Sequence, residues 1–450
     1  MGERYRPRAD ERGRTVTITP AWRVYGLGVI LCVALIICSH NFGDRGGPHF
    51  MASSALAGIA YLLAVRELFV TPKFPGRVLV FGLLVSAVWH IAFLRLPAGA
   101  DDDVHRYVWD GRLQRLGYNP YVVIPSDPAV ARLHTPETRN LNNPNLPSLY
   151  PPGAELFFRA VTAIHESTFA LKVAFVVCEF AIVFLLLDIL RCNRQATHLV
   201  LVYAWNPLLA IEVAGSGHID IVGALFLVIS AAALARRWRT SAAIAFGLAI
   251  AVKFLPIVLI PLYWKRVRIR DAVLAAALVA VLYVPFFNNG GIPIGSLGTY
   301  VQTFRFNGPV FAVFDGVASP QLLAGVAVLA GLGTAIWLRR TASEGTPDLF
   351  VWPMAVSLLC APVVFPWYLV WLLPFLTSPS TLLIILWTVS IILTYVQWHL
   401  HMLGRPWGAL PGWVMVLEYG CVAMVGAIML LRRITRRPLV EYSTGGSNRV

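Results

Sequence analysis

The sequence predicts an all-α polytopic membrane protein on three observations. Of the 450 residues, 57% are hydrophobic and only 13% charged, and the mean hydropathy is +0.67, a balance foreign to water-soluble domains. The apolar residues come in runs of about 17 to 25, the length an α-helix needs to cross roughly 30 Å of hydrocarbon. The alternating segments that would mark a β-barrel are absent. The net charge of +14 does not point to nucleic acid, because Lys and Arg stand in short clusters beside the apolar runs, as the positive-inside bias requires.

The chain opens with an Arg-rich arm, residues 1–20, too long and too charged ahead of its apolar run for a cleavable leader. The first span, 22–40, is therefore expected to stay as an anchor with the arm cytoplasmic. Further spans are expected at 51–70, 77–96, 168–190, 197–213 and 218–235. Counting crossings puts a long loop, 97–167, outside. The same count puts three basic clusters inside: Arg66, Lys73 and Arg77; Arg191 and Arg194; and Arg236, Arg237 and Arg239.

A full crossing over 241–263 would place Lys265, Arg266, Arg268 and Arg270 outside, against that bias. Lys253 and Pro256 interrupt the run midway, so it reads as two half-helices returning to the same face, a break tolerated where it lines a protein cavity. A span at 271–287 leads to a second outer loop, 288–319, and 320–338 returns to Arg339 and Arg340. Pro362, Pro366 and Pro374 break 349–376 into two short spans flanking Phe365-Pro366-Trp367-Tyr368, because each proline removes a helical hydrogen bond. Spans at 380–397 and 412–431 enclose an outer loop near 398–411 and leave Arg432, Arg433, Arg436 and Arg437 inside. The expectation is about 12 spans, one transmembrane domain over 21–432 and a cytoplasmic tail over 433–450. The six cysteines show neither disulfide nor metal-ligand spacing and read as packing residues.

Chemistry concentrates in the first outer loop, in Asp101-Asp102-Asp103, Arg106-Tyr107, Trp109-Asp110-Gly111-Arg112 and Asn119-Pro120-Tyr121. Adjacent aspartates raise each other's pKa and need cations nearby, and Arg106 and Arg112 are the local ones. On a helix, Asp102 lies four residues from Arg106 and Asp103 seven from Asp110, so acid, arginine and second acid can share a face. That suits a general base beside an anion-binding group; a solvated acid run capping a helix explains the same spacing. Asn142-Asn143-Pro144, Pro147 and Tyr150-Pro151-Pro152 read as a rigid extended segment.

A second outward cluster, Gly215-Ser216-Gly217-His218-Ile219-Asp220, could hold a metal or a phosphate, or simply cap a helix with Asp220 and pack His218. No third ligand stands at metal-site spacing, so no metal or other cofactor is assigned, and divalent-cation dependence stays open. Lys253, inside an apolar run, needs a partner or an anion such as a lipid phosphate, unless it snorkels to the interface. Glu179, Asp188 and Glu212 read as span-end or interhelical acids. Trp367 and Trp371 read either as interface anchors or as sugar platforms.

Taken in order, these residues resemble the integral-membrane glycosyltransferases of the GT-C type, especially the polyprenol-phosphate-mannose-dependent mannosyltransferases grouped with glycosyltransferase family 87. The resemblance runs over most of the chain. It rests on Asp102-Asp103 leading into Arg106-Tyr107-Val108-Trp109-Asp110-Gly111-Arg112, on Gly117-Tyr118-Asn119-Pro120-Tyr121 and on Leu149-Tyr150-Pro151-Pro152. Trp205-Asn206-Pro207, Ser216-Gly217-His218-Ile219-Asp220, Ala251-Val252-Lys253-Phe254-Leu255-Pro256 and Phe365-Pro366-Trp367-Tyr368 complete it. Asp101, where related chains carry a small residue, and Phe365, where a His is expected, depart from the pattern.

The resemblance implies a GT-C-like bundle in the plasma membrane with its active site on the extracytoplasmic side. It implies transfer of a hexosyl residue, mannose first, from a polyprenyl-phosphate sugar to a glycolipid or glycan acceptor of the cell envelope. Asp102 matches the catalytic base, with Asp103 the alternative. Arg106, His218 and Lys253 compete for the donor phosphate, and Tyr107, Asp110, Arg112, Asn119, Tyr121, Tyr150, Asp220 and Trp367 are the candidate sugar and acceptor contacts. A single displacement inverts the anomeric centre and needs no nucleotide site, in keeping with the absence of a phosphate-binding glycine loop. The alternative is a transporter or flippase of a lipid-linked sugar, which shares the spans and buried charges but commonly carries an internal repeat that this chain does not show.

Overall fold

Helices make up the regular structure, and the positions at which they break decide what the molecule can do. The computed structural model describes residues 20–99, 102–139, 141–287, 293–341, 347–408 and 410–435. The expected arm apart from Pro20, Asp101, residues 288–292 of the second outer loop and the tail from 436 lie outside the described residues. Among the described residues there are no strands, only isolated bridges such as that between Phe306 and Val363.

The elements are α1 (Ala21–His40), α2 (Pro48–Val70), α3 (Gly76–Leu94), α4 (Asp103–Arg115), α5 (Pro152–Ile164), α6 (Thr168–Cys192) and α7 (Val200–Ala204). After a wide-turned segment, Leu209–Ser216, come α8 (Asp220–Ala235), α9 (Arg239–Val252), α10 (Ile260–Tyr263), α11 (Ile269–Tyr283), α12 (Leu297–Thr303) and α13 (Pro309–Phe314). α14 (Pro320–Thr341), α15 (Val351–Cys360), α16 (Leu382–Ser390), α17 (Val396–Met402) and α18 (Gly412–Thr435) complete the chain. The starts follow local chemistry. Pro48 and Pro152 open α2 and α5, where a missing N–H costs nothing, and Ser167 caps α6 by accepting the Ala170 amide at 3.1 Å.

Among the described residues, eight helical segments are long and apolar enough to cross a membrane, or nine if the bent pair Thr197–Ala204 and Leu209–Ser216 is one span. The sequence expectation of about 12 counts shorter apolar helices as well. The difference lies in the shorter apolar helices, which include α8, α9 and α15: α8, expected to cross, has 16 residues, about 24 Å at 1.5 Å per residue.

Two segments fold back as the charges require. α9 climbs to Lys253, and Leu255–Tyr263 descends until Tyr263 stacks on Phe246 at 4.1 Å and meets Ser230 through its hydroxyl at 2.7 Å. α15 climbs, turns at 361–365, and Pro366–Phe375 descends until Phe375 stacks on Phe350 at 5.2 Å. The bases of both hairpins line one cavity that Arg237, Arg239, Lys265 and Arg266 share with Phe350 and Phe375. Their turns meet at the opposite end, where α4, α5, the loop between them and residues 293–319 form a polar cap.

A bend of 59° between α7 and Leu209–Ser216 serves the same end. Pro207 cannot donate to a helix, and Asn206 takes over the polar bookkeeping, accepting the Leu208 amide at 3.0 Å and donating to Thr388 at 2.8 Å and Tyr61 at 3.2 Å. The wide turn closes on Gly217 at φ +79°, a conformation costly for a side-chain-bearing residue, and the next residues re-aim His218 and Asp220 toward the cap.

Candidate active site

The two described aspartates of the acid run part at the start of α4. Asp102 is still extended, whereas Asp103 is the first helical residue, so their side chains leave the backbone in different directions. Asp102 is buried. Its Oδ1 lies 2.6 Å from Arg45 Nη1, its Oδ2 accepts the Gly99 amide at 2.6 Å, and Arg45 also donates to Ser216 Oγ at 2.8 Å. Asp103 is half-buried and lines a cavity of about 380 Å³. One of its oxygens accepts from Asn142 Nδ2 at 2.5 Å, the other from the Tyr150 hydroxyl at 3.1 Å.

Arg106 lines the same cavity, one turn further along α4. Its Nε is 3.1 Å from Asp110 and one Nη donates to the Leu146 carbonyl at 2.8 Å. Behind it Asp110 and Glu155 lie together, both fully buried, and Glu155 accepts from Ser148 Oγ and from Gln114 at 2.8 Å. Burial pushes both carboxyls above the usual carboxylate range; Arg106 pulls Asp110 back, and the neighbouring Asp110 charge pushes Glu155 further up. The pair therefore favours retaining a proton. It forms a foundation for Arg106 and does not face the cavity.

Lys253 sits where α9 ends, on extended backbone. Its Nζ is 2.8 Å from Asp220 Oδ1 and 4.0 Å from the centre of the Tyr368 ring, with a fifth of the side chain still exposed. Asp220 also accepts from Trp371 Nε1 at 2.7 Å, while its Oδ2, buried, has no hydrogen-bond partner among the described residues. Tyr368 shares a hydroxyl hydrogen bond with Tyr300. Lys253, Tyr150, Tyr300 and Tyr368 line the polar cavity and also a second, apolar groove of about 280 Å³. That groove runs over Phe254, Ile257, Leu297, Val328 and Leu358. A polar chamber and a greasy channel thus meet at one lysine.

The remaining candidates divide. Trp367 lines the cavity and stacks on Phe365 at 4.4 Å; on its other face lies His218 at 4.1 Å, which is buried and 2.9 Å from Glu212. His218 stands behind the wall. Tyr107 is buried, stacked on Phe158 at 4.3 Å; Tyr121 donates to the Tyr150 carbonyl at 2.7 Å; Asn119 donates to the Phe286 carbonyl at 2.8 Å. Arg112 holds Glu166 at 2.7 Å and the Leu133 carbonyl at 2.8 Å. None of these five lines the cavity.

Sequence reasoning passed over Arg45, Tyr300, Trp398, His401 and Trp407, and quoted Asn142 and Tyr368 only within motifs, without a site role. Arg45 left a signal, being a cation in a short loop at the end expected to face outward, where the bias disfavours it. The three rim aromatics Trp398, His401 and Trp407 left none beyond composition. Among the described residues no three His, Cys, Asp or Glu side chains gather as a metal site.

The profile of a family described as alpha-(1->6)-mannopyranosyltransferase, N-terminal domain, matches residues 42–267, half of the chain. The chain belongs to this family of mannosyltransferases. No curated protein and no solved structure matches it. The matched segment of the mannosyltransferase contains Arg45, Asp102, Asp103, Arg106, Tyr150, Asp220 and Lys253. Tyr300, Trp367, Tyr368 and the rim aromatics come from beyond it, so the chamber is completed by the C-terminal part of the chain.

Proposed function

We propose that this mannosyltransferase takes mannose from a polyprenyl-phosphate donor and passes it to a glycan or glycolipid acceptor of the cell envelope, on the extracytoplasmic side, with Asp103 as base. The observation that carries the reading is the meeting of the apolar groove and the polar cavity at Lys253. A lipid-linked sugar phosphate has that shape and charge order: an apolar chain, an anion, a polar ring. The chain lies in the groove, the phosphate rests at Lys253, and the sugar projects past Tyr150 and Tyr368 toward Asp103. The basic clusters gather at the end opposite the cavity, which supports an outward-facing site.

The reaction needs little else. Asp103 accepts the proton of the acceptor hydroxyl, whose oxygen forms the new bond to C1 of the sugar. The bond from C1 to the phosphate oxygen breaks, and the electron pair leaves with the phosphate. Lys253 and Arg106 stabilise the charge that develops there, and Tyr150 and Asn142 hold the base in place. Attack opposite the leaving group inverts C1, so a β-linked donor gives an α-mannoside, in accord with the linkage in the family description.

The purified protein is incubated with radiolabelled polyprenyl-phosphate mannose, or with nucleotide-linked mannose, and an envelope glycan extract. Transfer from the lipid donor alone is the expected result. Transfer from the nucleotide donor alone would overturn the assignment of the groove.

A further inference from the structure

We infer that the molecule carries a second lipid site, at the end opposite the active cavity, which takes the phosphate headgroup of an anionic membrane phospholipid. A cavity of about 560 Å³ opens there between the bases of the two re-entrant hairpins. Its apolar wall includes Leu186, Ile189, Phe350 and Phe375, and its rim carries Arg237, Arg239 and Lys265. Among the described residues no carboxylate lines it and none of these three rim cations forms an ion pair with one, though Asp271 lies with Arg237 and Arg239 in an adjoining pocket. A cationic rim over an apolar wall matches a headgroup phosphate with its acyl chain beneath. Trp238 and Trp264, 61% and 69% exposed, flank the rim as membrane-interface residues do.

The backbone gives an independent reason. Arg237 and Lys265 have φ of +60° and +62°, just past the ends of α8 and α10, where chains ordinarily place glycine. A side chain there costs about 1 kcal/mol or more. Of the three cations in this conformation, Arg194, Arg237 and Lys265, two line this one cavity, as charges placed for an anion would. The site joins the hairpin whose turn carries Lys253 to the hairpin whose descending arm begins with Trp367 and Tyr368, so an occupant would brace the two walls of the active cavity from the far side.

The delipidated full-length protein in detergent is offered equal amounts of phosphatidylglycerol and phosphatidylcholine, and bound lipid is counted by native mass spectrometry. Phosphatidylglycerol is expected to be retained preferentially, and Arg237→Gln/Arg239→Gln/Lys265→Gln to lose that preference, about fivefold for each cation removed. If the triple variant folds poorly, Arg237→Gly removes one charge while relieving the backbone and should still show its share of the loss. Lys73→Gln/Arg77→Gln, at another basic cluster, should keep the preference. Equal loss in that control would overturn the proposal, as would unchanged retention in the rim variants. Displacement of the lipid by millimolar inorganic phosphate would make this a free-anion site and overturn it as well.

Discussion

Arg45 and Asp102 form a buried ion pair, 2.6 Å apart, while the adjacent Asp103 turns its carboxylate into the cavity between Asn142 and Tyr150. Neighbouring acids with opposite surroundings should fail in opposite ways. Asp103→Asn keeps the shape and one accepting oxygen but removes the proposed base. Transfer should fall by about 10² to 10⁴, with expression and thermal stability close to wild type. Initial rates on purified protein, alongside melting curves, check this; a variant with near-normal turnover would remove Asp103 as base.

Asp102→Ala should be lost for a different reason. It leaves Arg45 buried and unpaired, a change that costs about 3 to 5 kcal/mol. Arg45→Ala does the same to Asp102, so each single variant should melt well below wild type. The double variant Arg45→Met/Asp102→Leu removes both charges and should recover much of the loss. Lack of any recovery across this cycle would show that the two residues do not act as a pair.

Why the sequence pointed to Asp102 follows from what selects between the acids. The partner that neutralises Asp102 lies 57 residues away, in the loop between α1 and α2, and no spacing within α4 reveals it. The large pattern was easier to read. Lys253 with Pro256, and Pro362 with Pro366, conflicted with the charge bias unless their segments turned back, and both do. Span number rests partly on shorter helices such as α8, 16 residues from Asp220 to Ala235, whose length the apolar run does not mark. Tyr107, Asn119 and Tyr121 are polar residues near a site, and only tertiary packing shows that they bind the framework.

Lys253 has a role that tests the junction of groove and cavity. Lys253→Gln removes the positive charge facing the proposed phosphate, and kcat/KM should drop by about 10² to 10³, the usual scale for a lost charge-stabilising donor. Asp220 then loses its cation, though Trp371 still donates to it. Lys253→Arg, which keeps the charge, should recover part of the activity, and Lys253→Gln/Asp220→Asn should restore stability without restoring turnover. Recovery of turnover in that double variant would assign Lys253 to structure alone.

Glu155 and Asp110 set a pH dependence whose sign can be worked out. Both carboxyls are raised by burial, so the folded chain holds a proton that the unfolded chain releases at ordinary carboxyl pH. Their contribution to stability is then fully present below the ordinary carboxylate range and is lost as the pH climbs through the raised value. Glu155→Gln keeps an uncharged side chain of the same size at every pH, with one oxygen still able to accept from Gln114 or Ser148. Its melting temperature, relative to wild type, should therefore rise steadily with pH from the acidic range toward alkaline. Melting curves for both proteins over that range provide the measurement. A constant difference would mean that Glu155 has no raised pKa, and that Arg106 stands on a fully ionised acid pair.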